Sequence, residues 1–365
     1  MWRTTRRGLF GWLAAGVAAR PQTRGDVFPT ERARYFDPAT GFPVLRLTSP
    51  AHTSWLPPPW LRAVSKRRAH LLFSNGRSGP LQPCLMVLNT GEQRLLAAPA
   101  ALDPSSLTLT PDDRGVFFFD GPALNHVSLA TLRQRQVYRV REGWERVPGF
   151  SVSPDGSRAA IIEASRDVRA LRLLPLLPNA ADASTVMESP APIRAPLFRP
   201  GHDDLLYRTG ENSLALTGRD GRNPRPVLAA QGRVGPHFWS ANGERIQYLC
   251  FPAEAGKTNE IRELLLDGNA DRLVASTSQF VSFAPNHDSS VFAGASASKA
   301  SPYVLLLLRV TRRELALCEH RASDAAAVMP VFSPDSQRIY FQSDRDGQMA
   351  IYAMALEKLV ERTEG

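Results

Sequence analysis

The chain has 365 residues, 43% of them hydrophobic, and carries 44 Lys and Arg against 35 Asp and Glu for a net charge of +9. That apolar content excludes an unfolded polar chain and suffices for a core, while the charge leaves open an anionic partner or a solvated arginine-rich surface. Cys84, Cys250 and Cys318 are odd in number and show no Cys-x-x-Cys spacing, which excludes a disulfide frame or a cysteine zinc site and predicts buried free thiols.

In chain order, the first element is a targeting segment. Residues 1–19 place Arg6-Arg7 before a short, mildly apolar stretch and then small residues. This is the pattern of a twin-arginine export signal cleaved after Ala19, and it predicts a periplasmic or extracellular protein. The alternative is an unstructured basic N-terminus. The apolar part is shorter than the roughly 20 residues that span a bilayer, and no later segment reads as a membrane span. Residues 20–42 read as an N-terminal extension, 43–358 as one domain, and 359–365 as a tail.

The body then repeats one phrase: an apolar or aromatic pair, a turn of the Ser-Pro-Asp-Gly type, and a second apolar run. Clear copies are Phe150 to Gly156 and Val331 to Asp335; weaker ones contain Pro111, Pro200, Ala241-Asn242-Gly243 and Pro285, with a degenerate first copy at Ala63 to Arg67. From Pro111 onward the copies are 41 to 49 residues apart. Each repeat reads as four strands. In the first, Leu71 to Phe73 turns at Asn75-Gly76 into Cys84 to Leu88, and Asn89-Thr90-Gly91-Glu92 turns into Arg94 to Leu96. A period of this size, rich in strand formers, is the mark of a β-propeller. The fold is therefore predicted as an all-β, seven-bladed propeller of four-stranded antiparallel blades. Pro43 to Thr48 is a strand without a blade of its own, and too little chain follows Leu356 for an outer strand. The first is expected to complete the last blade and close the ring. Two departures stand out: Pro57-Pro58-Pro59, and the Pro/Ala-rich, loop-like segment Pro175 to Pro192.

The familiar chemical motifs are missing. Gly294-Ala295-Ser296-Ala297-Ser298 lacks the last glycine of a hydrolase elbow, and there is no P-loop or dinucleotide fingerprint. No helix-turn-helix, RRM or zinc-finger pattern supports a nucleic-acid partner. The seven histidines are isolated in sequence, although a propeller can gather ligands from successive blades. The Ser-Pro-Asp-Gly strings read as tight turns, not as calcium loops.

From about Phe28 to Leu356 the chain resembles the oligogalacturonate lyases, which are seven-bladed propellers. The most specific stretches are Tyr35 to Gly41 leading to Leu45 to Thr48, and Val127 to Leu132 leading to Val137-Tyr138. Glu142 to Glu145, His237-Phe238-Trp239 and Phe341 to Gly347 add to it; the turns alone would fit any TolB-like propeller. The resemblance implies β-elimination on short pectin fragments. That chemistry asks for a cation to neutralise the uronate carboxylate, a base to remove the adjacent proton, and further cations for the other carboxylates. In the family, a manganese ion held by histidines supplies the first.

The chain departs from this pattern at those histidines. Ala327-Val328-Met329 stands where the family has His-Pro-His, and Gln279 to Ser282 contains no histidine where the family has another. Arg194-Ala195-Pro196 replaces Gly-His-Pro, Pro236 takes the place of the base histidine, and His237 follows one residue later. The family's long basic insertion in the third blade is trimmed to Ala164 to Arg169. A one-residue offset turns a strand side chain to the other face, so His237 can serve as the base only if the strand bulges. The resulting expectation is a lyase-like chain without metal ligands by motif. His237 is its candidate base, and Arg194, Arg199, Arg233 and Arg345 are its candidate carboxylate binders. The alternative is a non-catalytic exported propeller that binds an acidic saccharide or a protein. A monomer is expected, with an acidic oligosaccharide as partner.

Overall fold

In each repeat the Ser-Pro-Asp-Gly phrase closes the hairpin between the first two strands. In the third copy Arg158 N donates to Ser153 Oγ at 3.0 Å, Ser157 N donates to Asp155 Oδ1 at 3.1 Å, and Gly156 takes φ +73°. In the last copy Arg338 N donates to Ser333 Oγ at 2.9 Å, and Ser336 accepts the left-handed φ of +60° in the glycine's place. The serine and aspartate oxygens are thus consumed by their own turns. Asp155 is held down at about 2 by the hydroxyls and backbone amide it accepts from, against a partial desolvation that pushes the other way.

The computed structural model describes residues 23–177, 182–277 and 279–356; the segment read as an export signal and the tail 359–365 lie outside the described residues. Seven antiparallel sheets, each built on one repeat and two of them joined by strands from the start of the domain, form a seven-bladed propeller. Blade four consists of Arg194–Phe198, Asp204–Arg208, Ser213–Gly218 and Arg225–Ala229; blade five of Gly232–Trp239, Arg245–Pro252, Asn259–Leu265 and Ala270–Thr277. Blade six runs from Phe280–Pro285 through Val291–Ser296 and Tyr303–Leu308 to Arg313–Glu319. The first strands of successive blades contact one another, as in blades three and four or five and six, so they are the inner strands around the axis.

Large apolar side chains fill the space between blades. Phe238 of blade five meets Phe283 of blade six edge-on, with ring centroids 5.3 Å apart, in a cluster with Leu249, Ile261, Phe280 and Phe292. Burying each such ring contributes about 2–3 kcal/mol. Cys84, Cys250 and Cys318 are buried free thiols.

The segment assigned above to an N-terminal extension carries two strands of the sheets. Val27–Phe28 pairs with Gln93–Leu95 at the outer edge of blade one. Ala33–Phe36 pairs with Pro43–Arg46, which pairs in turn with Ala350–Ala355 of blade seven. Asp37 makes that hairpin: its Oδ1 accepts from Thr40 N at 3.1 Å, and Gly41 N returns to its carbonyl at 2.8 Å. Ser184–Ser189, read as part of a loop, is the outer strand of blade three against Arg169–Pro175. In blade one the inner strand stops at Ser54–Trp55, because Pro57-Pro58-Pro59 has no N–H to donate, and the chain rejoins the ladder at Val64↔Leu71.

Antiparallel order sorts the loops into two faces. The Ser-Pro-Asp-Gly turns lie on one; the starts of the inner strands and the ends of the second strands lie on the other, here called the mouth. The inner strands of blades two to six each carry a register shift: Asp103/Thr108, Val147/Phe150, Arg194/Leu197, Val234/His237 and Phe280/Ser282. A bulge re-aims the side chains before it relative to those after it. It thereby separates a packed lower half of each inner strand from an upper half at the mouth.

Candidate functional site

Blades four and five gather cations at the mouth. Arg194 opens the inner strand of blade four, and Arg208, which ends the second strand, stands directly opposite it in the ladder. Arg233 is the second residue of the inner strand of blade five, its guanidinium 3.9 Å above the Phe251 ring. The stacking fixes the plane of Arg233 while leaving its N–H edge open, the arrangement that suits a carboxylate. Arg208 donates through Nη2 to the Glu211 carbonyl at 2.9 Å, and its Nε is buried without a partner. Its pKa is lowered, first by desolvation and then by the neighbouring Arg194 and Arg233 cations, with Glu211 acting against them. Arg194 pairs with the Glu211 carboxylate, both side chains being well exposed.

His237 lies below this group. The bulge between Val234 and His237 places it opposite Tyr248, which is the strand irregularity that the offset from Pro236 requires. The ring is 6% exposed. Nδ1 lies 3.3 Å from the Gly235 carbonyl, while Nε2 has no hydrogen-bond partner. A carbonyl only accepts, so Nδ1 carries the proton and Nε2 the lone pair. Desolvation pushes the His237 pKa down to about 4, with a smaller push from the Arg208 cation and a pull upward from the Gly235 carbonyl. The imidazole is therefore neutral at pH 7, in a base's protonation state but a weak base.

Two expected arginines stand elsewhere. Arg199 follows the end of the five-residue strand that Arg194 begins, so it lies on the turn face. It donates to the Gly243 carbonyl at 2.7 Å and pairs with Asp204 at 2.8 Å, tying blade four to the turn of blade five. Arg345 sits at the rim between blades six and seven, its side chain 7% exposed. It donates to the Glu319 carbonyl at 2.6 Å and lies over Tyr35. Both are consumed by internal contacts. Arg208 was missed because nothing local distinguishes it from other strand-ending arginines; its position across the ladder from Arg194 is what the sequence could have offered.

Comparison with known proteins follows the same line. No protein-family model matches the chain. An oligogalacturonate lyase from Dickeya dadantii (strain 3937) is 23% identical over 373 residues, spanning 87% of this chain and 94% of that protein. An oligogalacturonide lyase from Pectobacterium atrosepticum is 22% identical, spanning 90% and 97%. The solved structure of an oligogalacturonate lyase in complex with manganese superposes with a TM-score of 0.86 at 22% identity, over 92% of this chain and 98% of that one. The oligogalacturonate lyase of Vibrio parahaemolyticus gives 0.86 at 19%, over 93% and 100%. This chain is a distant relative of the oligogalacturonate lyases. The structural likeness establishes the shared fold.

The residues present do not fit the manganese of the lyase complex. Ala327 and Val328 lie in the 3-10 turn Ala325–Val328, with Met329 at φ +39° after it. None offers a hard side-chain donor. Gln279 bonds to Ser296 Oγ, and Ser282 Oγ is 3.5 Å from the Ala325 carbonyl. His320, the nearby imidazole, is 1% exposed and has both nitrogens committed: Nε2 to the Ser296 carbonyl at 2.9 Å, Nδ1 accepting from Ala322 N at 3.0 Å. No lone pair is left for a metal. Among the described residues no group of three His, Cys, Asp or Glu stands together as a metal site. No helix among them is long and apolar enough to cross a membrane.

Proposed function

We propose that this protein recognises short uronate oligomers, the substrate class named by its relatives, at the mouth of blades four and five. The observation that carries this reading is the convergence of Arg194, Arg208 and Arg233 around one carboxylate, Glu211. Three cations against one acid, two of them without an ion pair among the described residues, suit a ligand that brings several carboxylates. The export signal around Arg6-Arg7 would place this binding outside the cytoplasm, where pectin fragments are met.

A second reading, β-elimination, is favoured by one observation: the unpartnered, lone-pair-bearing Nε2 of His237 beneath the arginines. Nε2 is buried in this structure, so a substrate would have to open the mouth onto it. Nε2 would then take the proton from the carbon beside the carboxylate as the glycosidic oxygen leaves, and Arg208 would neutralise the carboxylate.

Calorimetric titration with digalacturonate and trigalacturonate tests the first reading. Binding that weakens sharply in Arg208→Ala and Arg233→Ala supports it; folded wild-type protein that takes up neither ligand overturns it. Ultraviolet absorbance of the unsaturated product, followed with manganese and separately with a chelator, tests the second. Product formed with chelator present and lost in His237→Ala is the expected signature; its absence under both conditions leaves binding alone.

A further inference from the structure

We infer that Glu211 is a built-in competitor: its carboxylate holds Arg194 in the place that a ligand carboxylate takes, and the ligand displaces it. The inference rests on the uronate-binding reading above. Its basis is the division of labour within one residue. The Glu211 backbone is pinned, because its carbonyl accepts from Val234 N of the blade-five inner strand at 2.8 Å and from Arg208 Nη2 at 2.9 Å. The next residue is fixed as well, Asn212 exchanging bonds with Ala230 at 2.8 and 3.2 Å. The side chain is not pinned in this way. It is 65% exposed and reaches Arg194, itself 42% exposed.

The loop thus presents a carboxylate at a fixed point in a cationic cluster, on a side chain free to swing out. An exposed ion pair of this kind is weak and gives way readily to a better partner. A ligand carboxylate reaching the cluster meets the exposed guanidinium of Arg233 and the Arg208 cation beside it, whereas Glu211 forms its ion pair with Arg194. The depressed pKa of Glu211, caused first by its bond from Arg194 and then by that cation's charge, fits a carboxylate ionised throughout the working range. The consequence is selectivity. A neutral sugar gains nothing from displacing Glu211, whereas a uronate exchanges one carboxylate for another that is better held.

The experiment is a double-mutant cycle by calorimetry, with trigalacturonate as the probe and wild type, Glu211→Gln, Arg194→Gln and the double variant as proteins. Glu211→Gln should bind roughly two- to fivefold more tightly than wild type, the weight of an exposed ion pair. In the Arg194→Gln background the same change should shift affinity less than twofold, because no contact remains to be released. Unchanged or weaker binding by Glu211→Gln overturns the competitor role. Equal tightening in both backgrounds also overturns it, since that is the effect of a diffuse charge. If trigalacturonate binds to none of the four folded proteins, the uronate reading falls and this inference with it.

Discussion

The mouth of blades four and five and the mouth of blades six and seven occupy equivalent places on the ring but differ in how fully their polar groups are used. At the first, Arg208 Nε and His237 Nε2 are buried without partners, and Arg233 offers an open edge. At the second, the Tyr35 hydroxyl is buried without a partner, but the amide, imidazole and hydroxyl beside it bond within the protein. Gln342, fully buried, accepts from Leu56 N and donates to the Ala327 carbonyl, both at 2.7 Å, bridging blade seven to blade one. His320 uses both ring nitrogens, and Ser343 Oγ donates to the His320 carbonyl at 2.5 Å. Unused hydrogen-bonding capacity in a buried cluster costs stability unless something makes use of it. The contrast is between a mouth that gathers three arginines and one whose amide, imidazole and hydroxyl groups bond mainly to the protein itself.

The largest effect that sharpens this contrast is on stability. Gln342→Ala leaves the buried Leu56 N–H and the half-buried Ala327 carbonyl without partners and should lower unfolding free energy by about 2–3 kcal/mol in urea titrations, with affinity for trigalacturonate unchanged. Next, Arg208→Ala should do the opposite: a roughly tenfold to hundredfold loss of trigalacturonate affinity by calorimetry with little change in melting temperature. A finding that Arg208→Ala chiefly unfolds the protein would erase the distinction between the two sides.

Acid comes third. Unfolded His237 titrates near 6.5 and the folded one near 4. The unfolded chain therefore binds the proton first, so stability is full above pH 6.5 and declines as pH falls toward 4. Between pH 7 and 5 that decline is worth about 2 kcal/mol, and a His237→Gln variant should show a flatter pH dependence of unfolding free energy by that amount. His320, also shifted down by burial, contributes in the same direction in both proteins. The smallest effects belong to Arg199→Ala and Arg345→Ala. Each should cost about 1 kcal/mol of stability and leave ligand affinity within twofold; a marked loss of affinity in either would extend the binding face beyond blades four and five.

The architecture was legible because its signals are local. A serine, an aspartate and a residue able to take positive φ must sit within a few positions to close each hairpin, and they recur at blade spacing from Pro111 to Pro334. The site was less legible because it is assembled across strands. Arg194 and Arg199 look alike in sequence, yet a five-residue strand sends them to opposite faces. Arg208 ends Leu205-Leu206-Tyr207, a strand buried on both sides that offers no alternation to say where its last residue points. The bulge that brings His237 opposite Tyr248 depends on Gly235 and Pro236 within a register that only the ladder shows. Residues 27–36 were passed over for a similar reason, since their pairing partners lie at Gln93–Leu95 and, through Pro43–Arg46, at Ala350–Ala355.

That last pairing has a consequence for the order of events during synthesis. The stretch from Val27 to Arg46 touches both sides of the seam, blade one through its outer strand and blade seven through Ala353 and Tyr352. Among the described strands its blade-seven partner is the last to be made. The earliest part of the domain must therefore wait, with strand edges unpaired, while the other six blades emerge. Its final contacts span more than 300 residues of chain, the slowest kind to form. A truncation that removes only Ala350–Ala355 would thus leave the beginning of the chain as unfinished as the end.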